Sequence, residues 1–176
     1  KDRTLILTWD TEADSTRGTG ELPKPEFKED NIFMICGTLH WKDSDACLYQ
    51  FAIVDVETEA DDRWDTIMAG SHKGVIKAFA LMIQRFYPDI IMGFNDSDFD
   101  WPFIIQKTKE FDILEWFCET ITCNPTNSTV IKNPGVWNVR TDIVKVEAGD
   151  TMSLRYFKVD GMVPIDVRVC FKKLYT

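Results

Sequence analysis

Runs of apolar residues along this chain change their spacing in a way that separates strands from helices. Residues 4–9 form a short apolar run of the length expected for a buried strand. Residues 13–31 are polar and include Gly18, Gly20, Pro23 and Pro25, which predicts a long surface loop. Residues 32–41 and 47–54 are strand-like and separated by the turn formers of 42–46, so they predict antiparallel strands beside the first. Residues 58–65 read as an acidic connector. Over residues 71–87 the period becomes helical. Val75, Phe79, Met82, Ile83 and Phe86 fall on one face, Ser71 stands where an N-cap belongs, and Pro88 marks the end. That stripe predicts core packing. Residues 89–94 then read as a short inner strand, 98–107 as the start of a helix that tolerates Pro102 in its first turn, and 110–118 as another short helix.

From residue 124 to 149 the composition shifts to Asn, Pro, Thr, Gly and Val, which predicts an insertion or β-ribbon. Residues 152–159 and 162–167 are strand candidates, and 167–174 a closing helix. The order strand, strand, strand, helix, strand predicts an α/β protein, a mixed sheet with flanking helices. Asp10 and Glu12 would lie on a central strand. Asp100 would lie near the first turn of a helix that follows another.

Composition narrows the function classes. A chain of 176 residues, 44% hydrophobic and 12% aromatic, suits one well-cored domain with or without an insertion. Its net charge of −9 disfavours a stand-alone nucleic-acid-binding module, because phosphate affinity comes largely from Lys and Arg displacing counterions. Five cysteines, without a C-x-x-C pair, read as reduced and mostly buried thiols of a nuclear or cytoplasmic protein. His40 and His72 lie far from any paired cysteines, which argues against zinc. No apolar run approaches the length that spans a bilayer, so no membrane partner is expected. The lack of an initiator Met and the immediate start in a strand read as a segment of something larger.

Chemistry concentrates in two acidic elements. On a strand, residues i and i+2 share a face, so Asp10 and Glu12 project together. Adjacent carboxylates repel each other unless a cation or a proton lies between them. Farther along, Asp89, Asp96, Asp98 and Asp100 crowd into twelve residues. Asp89 is expected to face solvent and Asp96 to serve the turn. Phe99 and Trp101 are expected to pack, although an aromatic beside a nuclease cleft can also stack on a base. The plain alternative is a pair of solvated strand-end acids: 29 acidic residues make such triplets common, and Glu57-Thr58-Glu59 is another. Weighing against it, both elements close an apolar strand and the second has no basic residue to relieve it. A third carboxylate from a distant segment would complete an oxygen-rich site for Mg²⁺ or Mn²⁺, which suggests phosphodiester chemistry.

The sequence Leu7-Thr8-Trp9-Asp10-Thr11-Glu12 resembles the first exonuclease motif of family B DNA polymerases. The segment from Pro88 to Ile104, with Asn95-Asp96-Ser97-Asp98-Phe99-Asp100 at its centre, resembles the second. Residues 162–167, with Asp166, resemble the strand that precedes the third. The likeness runs across nearly the whole chain and extends to the polymerases of large DNA viruses. It implies a ribonuclease H-like fold, here truncated at the C-terminus, that carries a 3′→5′ proofreading exonuclease acting by two-metal hydrolysis. By this resemblance Asp10, Glu12 and Asp100 are the catalytic metal ligands for two Mg²⁺ or Mn²⁺ ions, with Asp10 bridging both. Asn95 and Phe99 would shape the cleft around the substrate. The implied partners are the DNA primer 3′ end and the polymerase domains of a parent chain, with a viral replication site as one setting.

Two departures stand out. The family usually has Asn where this chain has Asp98, which puts a substrate contact there in doubt. The third motif, a Tyr three residues ahead of a final Asp, does not occur before Thr176. Tyr156 has Asp160 four residues later and precedes the Asp166 strand, so it does not fit. The segment alone is therefore expected to be inactive. The rival readings are a non-catalytic DNA-binding or structural module of the same fold, a free-standing exonuclease, and an α/β domain with incidental acids.

Overall fold

A six-stranded mixed sheet carries the site. Its first strand, β1 (Leu5–Ser15), has Leu7, Trp9 and Thr11 buried while Asp10 and Glu12 are exposed, the alternation a pleated strand imposes. It pairs antiparallel with β2 (Asp30–Trp41), which pairs antiparallel with β3 (Cys47–Val54), and β4 (Asp65–Met68) runs parallel to β3 at the edge. On its other side β1 runs parallel to β5 (Ile90–Gly93), which is in turn parallel to β8 (Val163–Asp166). The strand order is β4-β3-β2-β1-β5-β8. A separate antiparallel pair is formed by β6 (Val139–Glu147) and β7 (Asp150–Phe157). The computed structural model describes residues 3–18, 20–122, 139–147 and 149–175.

Among the described residues four helices accompany the strands: α1 (His72–Phe86), α2 (Asp100–Glu110), α3 (Leu114–Thr122) and α4 (Val167–Leu174). Ser71 caps α1, its hydroxyl accepting from the Gly74 N–H at 3.0 Å. The helix ends at Tyr87, which has a left-handed backbone (φ 43°) just before Pro88. The core lies between the sheet and α1–α3. Trp9 of β1 stacks on Phe79 of α1 at 4.8 Å and meets Trp101 of α2 at 4.5 Å, and Phe157 of β7 closes on Trp101 and on Phe117 of α3. One aromatic cluster thus fixes the start of α2 against β1.

Several expectations need correction. Residues 13–31 are not all loop: β1 continues to Ser15 and β2 begins at Asp30, with Ala13, Asp14 and Ser15 paired to Ile32, Asn31 and Asp30. This arm holds together by polar contacts, so apolar patterning does not reveal it. Asp30 is fully buried and accepts from Arg17 Nη2 at 2.7 Å, Ser15 Oγ at 2.5 Å and the Lys24 N–H at 2.7 Å. The 58–65 connector ends in a strand, β4, only four residues long and on the sheet edge. The second short helix begins at Leu114 rather than 110, because α2 runs through Glu110 and the chain turns at Asp112 (φ 54°). Met82 and Phe86 are only half-buried. Of the four described cysteines only Cys118 is buried; Cys36 is half-buried, and Cys47 and Cys170 are exposed. Most of the 124–149 segment lies outside the described residues; its last part is β6.

Candidate active site

In sheets with parallel strands, ligands gather beyond the carboxyl ends of the strands. Here β1, β5 and β8 run parallel. Register pairs Thr8 of β1 with Met92 of β5, and Gly93 with Asp166 of β8. Asp10 and Glu12, the loop from Phe94 to Phe99, and Asp166 therefore all emerge at one end of the sheet. Between Glu12 and Ala13 the β1–β2 register shifts, leaving Phe33 as the extra residue of a bulge, a common feature beside functional sites.

Asp10 and Glu12 stand exposed on the open face. Asp100, the first residue of α2, is 2% exposed and reaches β1 from the helical layer. Its Oδ1 accepts from the Thr11 N–H at 3.1 Å and from the Thr11 hydroxyl. The residue between the two exposed acids therefore holds the third. Burial pushes the Asp100 carboxyl up to about 6, helped by the charge of Asp10 and opposed by the Thr11 hydrogen bonds. Burial also raises Asp10, against the Thr11 N–H. Cys36, paired with Asp10 across β1 and β2, registers all three acids: burial raises its thiol first, and Asp10, Glu12 and Asp100 raise it further.

Among the described residues no three Asp, Glu, His or Cys side chains converge tightly enough to hold a metal ion. The three acids are neighbours in field and not a closed coordination shell. Their chemistry nevertheless fits a hard divalent cation: all are oxygen donors, and burial disfavours the charged forms of Asp10 and Asp100, with the charge of Asp10 adding to the effect on Asp100.

The loop after β5 is built to fold back on itself. A Cβ at Gly93 would stand 2.7 Å from the Asp96 Cβ, so only glycine allows that approach. Asn95 takes a left-handed backbone (φ 65°), which Asn tolerates better than most residues. Asp96 is 2% exposed, contrary to the role of a surface turn residue. The Trp101 indole approaches its carboxyl without closing a well-formed hydrogen bond, and Asp96 Oδ2 and Trp101 Nε1 are left without partners. Burial, then the charges of Asp166 and Asp100, push Asp96 up to about 7. Asp166 is 7% exposed and accepts from the Asn95 N–H at 3.0 Å, the Ser97 N–H at 3.4 Å, the Ser97 hydroxyl, and the Arg168 N–H at 2.9 Å as the N-cap of α4. Phe99 is half-buried and packs on Phe103 at 5.4 Å. Trp101 is core. Asp89 is exposed, and its Oδ2 accepts from the Leu5 N–H at 2.7 Å.

The sequence reading missed Thr11, Arg168 and the anchoring role of Asp166, which act across about 70 to 90 residues of chain. It also missed an open groove of about 400 Å³ that begins at Asp10 and is lined by Met34, Cys36, Gln50, Ala52 and Trp64. The alternation of β2 and β3 was the signal available for its floor; nothing local points to Trp64.

Sheet order and acid placement together define an α/β domain of ribonuclease H-like type with acids gathered at one end of its sheet. Residues 2–176 match the family described as DNA polymerase family B, exonuclease domain, and the chain belongs to that family. It is 32% identical over 177 residues to "DNA polymerase beta" of African swine fever virus, covering 99% of this chain and 14% of that protein. It is 33% identical over 61 residues to "DNA polymerase" of Archaeoglobus fulgidus, covering 35% of this chain and 8% of that protein. The chain thus spans a small part of the length of these relatives. Among the described residues no helix is long and apolar enough to cross a membrane.

Proposed function

We propose that this domain excises mismatched nucleotides from the 3′ end of a DNA primer, as part of a longer family B polymerase. The observation that carries this reading is the anchoring of Asp100 on Thr11, between Asp10 and Glu12. Asp10, Glu12 and Asp100 are the residues that would hold Mg²⁺ or Mn²⁺. When bound, such ions lower the pKa of an attacking water and neutralise charge on the departing oxygen.

The chain's own residues do the rest. Thr11 keeps Asp100 at the strand when its carboxyl loses a proton. Asn95 and Phe99 stand over the same end of the sheet, where Asn95 offers polar contacts and Phe99 an aromatic edge to a frayed primer end. The groove beside Asp10 gives an unstacked base an apolar wall, which tolerates any sequence. A mismatched end enters more readily because less pairing energy opposes its release.

The test is excision of a 3′-mismatched, 5′-labelled primer by the full-length polymerase. Asp10→Ala and Asp100→Ala should each slow excision at least about a hundredfold while extension of a matched primer continues. Unchanged excision in either variant would support the rival reading of a non-catalytic module.

A further inference from the structure

Arg168, the second residue of α4, donates from Nη1 to Asn95 Oδ1 and, at 3.1 Å, to Asp98 Oδ2. A guanidinium has N–H donors and no acceptor. The amide atom turned toward it must therefore be the oxygen, which leaves the two Nδ2 hydrogens of Asn95 to point elsewhere. Asp166 fixes both ends of this contact, accepting from the Asn95 N–H at 3.0 Å and from the Arg168 N–H at 2.9 Å. The Arg168 and Asp98 side chains are 34% and 48% exposed, so the pair stands at the rim of the loop and not in the core.

We propose that Arg168, steadied by Asp98, is a positioning residue that sets the polarity of the Asn95 amide. Asn95 then presents N–H donors, not its oxygen, to an acceptor atom on single-stranded DNA. This rests on the exonuclease reading above, and it accounts for an acid at position 98, since that carboxylate holds the guanidinium that holds Asn95.

Binding of a labelled oligothymidylate to the full-length polymerase in EDTA tests it through a double-mutant cycle. Asn95→Ala and Arg168→Ala should each weaken binding about tenfold, as loss of a charge-assisted or well-placed hydrogen bond does. The double variant should lose no more than either single one. The dependence of affinity on salt should stay the same, because no phosphate-contacting cation has been removed. Arg168→Lys, which also only donates, should keep most of the affinity and guards against a folding artefact. Additive losses with a salt slope shallower by about one would overturn the proposal and make Arg168 a phosphate ligand.

A second readout needs no DNA. With selective ¹⁵N-Asn labelling, the side-chain amide signal assigned by its absence in Asn95→Ala should shift in Arg168→Ala and not in Lys172→Ala. An unmoved signal would overturn the orientation. A moved signal in a protein that binds no oligothymidylate would uphold the orientation and sink the exonuclease reading instead.

Discussion

Thr11 joins two segments 89 residues apart by donating both its N–H and its hydroxyl to Asp100. Thr11→Val keeps the shape and removes the hydroxyl. It should cost about 1–2 kcal/mol in urea denaturation and slow excision more than a surface change would. Asp96 gives a pH signature. Its carboxyl is raised to about 7 in the fold, against about 3.9 in an unfolded chain. The folded state therefore binds the proton more tightly. That advantage is full below about pH 4 and is lost as pH rises through about 7. In Asp96→Asn, the decline of melting temperature between pH 4 and pH 8 should be shallower than in the wild type; an equal decline would mean that Asp96 does not titrate in this range. At this scale the facing of Asp10 and Glu12 was legible, because it follows from a two-residue period. The partners of Asp100, Asp96 and Asp166 were not, since each is decided by a contact far away in sequence.

Elements obey the same division. α1 and β3 were legible from periodicity and capping, because their burial patterns are local. The polar arm of β1 and β2 was not, because its cohesion comes from Asp30. The Arg17 guanidinium beside Asp30, with Ser15 and the Lys24 N–H, holds that carboxyl well below the usual carboxylate range. A depressed pKa adds stability above the unfolded value of about 3.9 and loses it as pH falls below that. Asp30→Asn should lower the melting temperature by several degrees at pH 7, and the deficit should shrink progressively as pH falls below about 4; an unchanged melting temperature at pH 7 would show that the arm does not contribute. Lys107 adds a second tie, donating to the Phe27 carbonyl at 2.7 Å and pinning the 16–29 loop to α2. Gly93→Ala tests the loop after β5. The new Cβ cannot share space with Asp96, so the loop should shift at a cost of about 1–3 kcal/mol, with excision falling further than stability alone accounts for.

For the whole molecule, charge and topology point the same way. A net charge of −9, with Asp10, Glu12 and Asp100 at one end of the sheet, fits the proposed use of cations, since these residues cannot themselves neutralise a phosphate backbone. The family was legible because each of its two motifs is contiguous in sequence, within residues 7–12 and 88–104. The arrangement that joins them was not, because it depends on α2 docking through Trp101 onto Trp9. The most direct test is Mn²⁺ binding to the full-length polymerase by calorimetry, beside Asp10→Ala and Asp100→Ala. Strong binding in the wild type that is lost in both variants is expected, since the two segments would serve one site. Full binding retained in Asp100→Ala would separate that residue from Asp10 and contradict a single metal centre.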